Sequence, residues 1–243
     1  MISKVLGIVI HEQLYQETSK ILTVITKEYG IISLLAKGCR KYTNKLSSGS
    51  KTLTIGYFYF IYKKDKMMVL REVDVVLDLP NIKSDIVNIS YVTYITKLTN
   101  LTAKIHYHRD IFDIYYNYLL QIENKLDPRL LTLIVEIKYL KFLGIKPITS
   151  QCVVCNNTNN IVTISIDDYG YMCTDCIKNE FIFDKKTLKL IDMFLSIDIS
   201  TITKINISDN IILELEKFIS IYYYKHSGLH IEKSKFIEIL KKI

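Results

Sequence analysis

Four of the chain's five cysteines fall in two pairs of identical internal spacing, Cys152-Val153-Val154-Cys155 and Cys173-Thr174-Asp175-Cys176. Two residues between cysteines is the spacing at which a tight turn aims both sulfurs at one point. Two such turns supply the four thiolates of a tetrahedral zinc site. Between them, Ile161-Val162-Thr163-Ile164-Ser165-Ile166 and Tyr169-Gly170-Tyr171 read as short strands joined through Asp167-Asp168. Knuckle, hairpin and knuckle make a zinc-ribbon pattern at about residues 150–180. Paired disulfides would need an oxidising compartment. A thioredoxin-like redox pair takes one Cys-x-x-Cys at the start of a helix, not two around a hairpin. Four thiolates leave no coordination position for water, so the spacing predicts one structural Zn2+ held by Cys152, Cys155, Cys173 and Cys176.

The 243 residues suffice for two modest domains, or for one with an inserted metal module. Hydrophobic residues at 49% against 23% charged are the composition of a globular chain that buries a core. A net charge of +7 leans towards a polyanionic partner, though its distribution matters more than its total. The opening Val5–Ile10 run is too short for a secretory signal and is followed at once by His11 and Glu12. No apolar stretch approaches the length of a membrane span, so no membrane partner is expected. A cytoplasmic protein is the expectation, in agreement with cysteines kept as thiolates. Cys39, the fifth cysteine, reads as a small buried filler.

Residues 3–78 read as all-β, with strands expected at Lys4–Ile10, Ile21–Thr26, Ile31–Ala36, Leu53–Tyr62 and Met67–Leu77. These runs are rich in Val, Ile, Thr, Tyr and Phe and are separated by polar or glycine-bearing breaks. Five strands in about 80 residues is the size of a small closed barrel such as the OB-fold. Tyr57-Phe58-Tyr59-Phe60-Ile61-Tyr62 is aromatic on both faces, and must be covered on both or offer one to a ligand.

Leu79-Pro80-Asn81 ends the β region. Helices are expected from Ser84-Asp85 to about Leu101, from Asp110 through Ile122, and from Asp127-Pro128 to Leu143 with Gly144 as its stop. Two more follow, from Asp184 to about Leu195 and from Ser208-Asp209 to Ser227-Gly228, and a last amphipathic segment covers Ser234–Leu240. The expected class is α+β: an OB-fold barrel over residues 1–79, then an all-α domain over residues 80–243 carrying the four-cysteine hairpin.

The break between the third and fourth strands carries five cations, Lys37, Arg40, Lys41, Lys45 and Lys51, and no carboxylate occurs between Glu28 and Asp65. Gly, Ser and Asn dominate the rest, which predicts a loop that stays mobile until something anionic orders it. Long cationic side chains on such an arm suit phosphate-backbone binding, with Tyr42 placed to stack on a base. The other reading is a solvated loop whose lysines keep it soluble.

Catalysis finds no support in the motifs. The five histidines form no constellation, His226 and His230 flank a helix stop, and the carboxylates lie on helix faces or at caps. A glycine-rich phosphate loop, a nucleophile elbow and an HExxH helix are all missing, so the chain does not read as an enzyme.

The order of these parts resembles the RecO family of bacterial recombination mediators. Tyr15-Gln16-Glu17-Thr18-Ser19-Lys20-Ile21-Leu22-Thr23, then Thr26-Lys27-Glu28-Tyr29-Gly30, is similar to the family's opening two strands. Ala36-Lys37-Gly38-Cys39-Arg40-Lys41 resembles its Ala-Lys-Gly-x-Arg-Arg turn, with Lys41 in place of a common arginine. Phe142-Leu143-Gly144-Ile145-Lys146-Pro147 before Cys152 looks like its helix end leading into Cys-x-x-Cys, and Lys233-Ser234-Lys235 is loosely similar to its closing segment. The resemblance implies binding of single- and double-stranded DNA, annealing of complementary strands, work with RecR, and docking of the acidic C-terminal tail of single-strand-binding protein. RecA is then loaded indirectly, in the cytoplasm with the nucleoid. It also implies that Lys37, Arg40 and Lys41 lie on the DNA-binding face; Lys45 and Lys51 follow by charge and proximity. An RNA-binding or ribosome-associated module, or a protein-interaction adaptor that never meets nucleic acid, stays open beside this.

Overall fold

The computed structural model describes residues 2–62 and 67–229. The expected segment Ser234–Leu240, His230 and Lys233-Ser234-Lys235 lie outside the described residues. The chain divides into two compact units, Met1–Lys125 and Leu126–Ile243.

Five strands close the barrel of the first unit: β1 (Ile2–Tyr15), β2 (Ser19–Thr26), β3 (Gly30–Ala36), β4 (Ile55–Ile61) and β5 (Met68–Leu77), in the order β1-β2-β3-β5-β4. β1 serves two neighbours because it is long. Ile2–Ile8 pairs with β4 and Gly7–Tyr15 with β2, and a bulge between Val9 and His11 bends the strand from one to the other. Closure comes from the parallel pairing of β3 with β5. Alternation fills the inside with Val5, Val9, Leu22, Val24, Leu34, Phe58, Phe60 and Leu70. This is the small OB-like barrel that the strand count predicts. The two-faced aromatic strand resolves accordingly. Phe58 and Phe60 point into the core, while Tyr57 and Tyr59 point out beneath the Lys4 ammonium, at 4.5 and 5.2 Å from their ring centres.

Among the described residues, three α-helices follow the barrel in this unit: α1 (Pro80–Ser84), α2 (Ile86–Ile105) and α3 (Arg109–Glu123). Leu79, in left-handed backbone at φ 51°, turns the chain out of β5, and Pro80 starts α1. The Glu123 carboxylate receives the N–H groups of Asn81 and Ile82 at 3.0 and 3.1 Å, so a helix of only five residues is held from outside. Asp85 caps α2 as expected, accepting from Val87 and Asn88. Lys27 of the β2–β3 turn meets Asp113 of α3 at 2.8 Å.

In the second unit α4 (Pro128–Phe142) is the central element, with Leu131, Leu133, Ile134, Val135, Ile137, Tyr139 and Leu140 all buried. Asp127 caps it by accepting from Arg129, and Gly144 ends it at φ 74°. Against it pack α5 (Lys185–Ser196) and α6 (Asp209–His226). The hairpin β6 (Ile161–Ser165) and β7 (Gly170–Cys173) lies between α4 and α5 in the chain. Among the described residues, no helix is long and apolar enough to cross a membrane.

Candidate nucleic-acid interface and metal centre

The basic segment follows β3 and is built of hydrogen-bonded turns. Its turns overlap: Lys41 N–H donates to the Gly38 carbonyl, Asn44 N–H to Lys41, and Ser47 N–H to Asn44, at 2.9–3.0 Å. The Asn44 side chain locks the middle, accepting from Leu46 N–H at 2.9 Å and donating to the Lys37 carbonyl at 3.2 Å. Cys39 and Leu46 are buried in the barrel core and pin the segment at two points. Gly49 then lies so close to Val73 that an added Cβ would stand 2.6 Å from it. Isolated apolar residues in a polar stretch were the signal for these anchors. The Gly, Ser and Asn content behind the expected mobility serves hydrogen-bonded turns here.

What the folded segment displays is charge. Lys37, Arg40, Lys41, Lys45 and Lys51 are all exposed, and none forms an ion pair among the described residues. Arg40 is positioned by neutral groups, its N–H on the Thr18 carbonyl at 2.9 Å and its guanidinium on that of Glu17 at 2.7 Å. No carboxylate compensates its charge among the described residues. Tyr42 stands at the tip 99% exposed, and its ring has no partner among the described residues.

The four cysteines come together as their spacing predicts. Their Sγ atoms all lie within 4.8 Å of one another, and Cys155 and Cys173 are 3.6 Å apart. A tetrahedron of thiolates around an ion with metal–sulfur bonds of about 2.3 Å has edges of about 3.8 Å, so the donor set fits one metal ion. Each knuckle is a backbone turn. Asn156 N–H donates to the Cys152 carbonyl at 2.9 Å, and the N–H groups of Cys176 and Ile177 both reach the Cys173 carbonyl at 3.1 Å. Burial opposes ionisation of Cys152, but backbone hydrogen bonds from Cys155, Cys173 and Val154 outweigh it and lower the thiol to about 6. The Cys155 thiol, hydrogen-bonded to Cys176, pushes that group up to about 12. Four sulfurs this close resist carrying four charges unless a cation sits among them. A metal ion held by all four thiolates would have no position left for a reacting water.

The hairpin is fastened beyond its cysteines. The Ile148 N–H donates to the Tyr169 carbonyl at 2.8 Å and the Tyr171 N–H to that of Ile148 at 2.9 Å, which makes a third, parallel segment beside Gly170. His226, which reads from sequence only as a helix-end residue, lies 4.0 Å from the Tyr169 ring, with Nε2 2.6 Å from the Ile166 carbonyl. His106 and His108 join no ligand cluster among the described residues; His108 caps α3 by accepting from Asp110 N–H.

Comparison with known proteins agrees with this arrangement. The family profile described as "Recombination protein O N terminal" matches residues 1–77, and "Recombination protein O C terminal" matches residues 83–235. The chain is 31% identical over 247 residues to "DNA repair protein RecO" of Halalkalibacterium halodurans, covering 100% of this chain and 97% of that one. It is 27% identical to the protein of the same name from Bacillus subtilis, covering 100% and 96%. Matched in order through both halves, the chain belongs to the RecO family of DNA repair proteins.

Proposed function

We propose that this protein is a non-enzymatic recombination mediator that holds DNA strands by their phosphates and lets complementary strands pair. One observation carries the reading: five exposed cations without carboxylate partners among the described residues, presented with an exposed tyrosine on a folded platform. Lys37, Arg40, Lys41, Lys45 and Lys51 would replace condensed counterions along the backbone, which is sequence-independent binding to single and double strands alike. Annealing needs base edges left free, and ammonium groups that grip phosphates leave them so. Tyr42 adds a stacking surface that any base satisfies.

The metal is read as Zn2+, one ion, held by Cys152, Cys155, Cys173 and Cys176. Bound there it supplies a cross-link between two turns and no chemistry. Membership of the family extends the reading to partners: RecR, the acidic tail of single-strand-binding protein, and RecA loaded by consequence.

The test is a strand-pairing assay with purified protein and complementary oligonucleotides in the absence of ATP. Accelerated pairing supports the reading, and pairing at the spontaneous rate sinks it. Competition of RNA against single-stranded DNA in the same buffer separates it from an RNA-binding module.

A further inference from the structure

A cleft of about 750 Å3 lies between the barrel and α2 within the first unit. Four lysines reach it from four parts of the chain: Lys20 of β2, Lys51 at the end of the basic segment, Lys83 of α1 and Lys97 of α2. Two of them are matched. Lys20 Nζ is 2.8 Å from Glu12 Oε2, and Lys83 Nζ is 2.5 Å from Asp78 Oδ1. Lys51 and Lys97 have no carboxylate partner among the described residues, so the lining keeps an excess of two positive charges. The charge of Lys51 is felt across the cleft. The Asp78 carboxyl is held below its usual value chiefly by the Lys83 hydrogen bond, and Lys51 adds to the pull.

The remaining lining suits a sugar-phosphate. Ile89, Thr93 and Lys97 are four residues apart on α2, so one helix face aligns an apolar side chain, a hydroxyl and an ammonium. Leu53 adds a second apolar wall. The volume lies within the range of small-ligand sites and accommodates about one nucleotide.

We propose that this cleft is a phosphate-binding subsite that takes a phosphodiester unit of the same strand that the basic segment holds, with Lys51 and Lys97 as its cations. This rests on the strand-binding reading of Lys37, Arg40 and Lys41. Lys51 is the join, since it ends the basic segment and lines the cleft.

The experiment titrates the full chain with labelled oligothymidylate over a salt series. It compares Lys97→Gln, Lys97→Glu and the triple alanine variant of Lys37, Arg40 and Lys41. Lys97 is exposed on α2, so its variants are expected to fold. Lys97→Gln is expected to weaken binding several-fold and to flatten the logarithmic salt slope by about 0.7, with Lys97→Glu weaker still. If the triple variant binds normally, the strand-binding reading itself falls and takes the subsite with it. If the triple variant loses affinity while both Lys97 variants match the parent in affinity and slope, only the subsite is overturned. Acetylation footprinting of Lys97 then separates the sources of phosphate. Protection by the oligonucleotide and not by inorganic phosphate supports the proposal. Equal protection by inorganic phosphate makes the cleft a free-anion site, and protection by an aspartate-rich peptide alone makes it a peptide site; either overturns it.

Discussion

Tyr107 closes over Gly30. A Cβ on Gly30 would stand 2.9 Å from the Tyr107 ring, and the Tyr107 hydroxyl, 2.6 and 2.9 Å from the Thr26 and Lys27 carbonyls, donates into the same turn. One side chain from the α2–α3 connection thus fixes the β2–β3 hairpin. Gly30 is also at φ 67°, where only glycine is unstrained. Gly30→Ala is therefore expected to lower stability by about 2 kcal/mol, from left-handed strain plus displacement of the ring. Urea unfolding measures it, and an unchanged midpoint would show that the hairpin does not depend on this closure.

The same phenol predicts a pH dependence. Burial first, then the Glu28 and Asp113 charges, push the Tyr107 hydroxyl from 10.0 up to about 12. Above pH 10 the unfolded chain releases this proton before the folded one does, so stability falls as pH rises. The contribution is complete below pH 10 and is lost as pH approaches about 12. Tyr115, Tyr171 and Tyr222 are shifted the same way, so the informative quantity is the difference between the parent and Tyr107→Phe. That variant should show a shallower alkaline decline, and parallel curves would remove Tyr107 from the account.

Metal removal should be felt as loss of structure. Purified protein is expected to carry one zinc per chain by elemental analysis, and Cys152→Ser to carry far less. Structural zinc sites contribute on the order of 10 kcal/mol to the folding of small isolated modules. In a larger unit with its own core, a fall of a few kcal/mol in the melting of the cysteine-bearing half is the expected outcome. Identical melting of metal-free and metal-loaded protein would strip the ion of structural weight.

Replacing Lys37, Arg40 and Lys41 together by alanine should weaken DNA binding and flatten its salt dependence. At about 0.7 per phosphate contact on single strands, three lost contacts reduce the logarithmic slope by about 2. Zinc content and thermal stability should stay close to the parent, because these side chains make no ion pairs among the described residues. An anisotropy titration that leaves the slope unchanged would take the segment out of the interface.

Legibility from sequence followed how local each signal was. The caps at Asp85, Asp127 and Asp184, the stop at Gly144 and the two Cys-x-x-Cys turns act within a few residues, and each is found where its spacing places it. α1 escaped because its five residues carry no periodicity and its N–H groups are satisfied by Glu123, far along the chain. The turns of residues 37–51 were legible only in part: Cys39 reads as a buried filler, but Leu46 shows its purpose only once the barrel exists to receive it. The 750 Å3 cleft is least legible of all, assembled by topology from lysines that no spacing rule connects.

Gly170 has a further consequence. Its missing side chain lets the strand lie where a Cβ would come within 2.5 Å of the Ile148 carbonyl, a few residues beyond the end of α4 and three before Cys173. The thiolate cluster and the tail of the central helix therefore share a single backbone junction. Loosening one should free the other, and the amide of Tyr171 becomes a natural reporter whose exchange with solvent tracks whether the ion is bound.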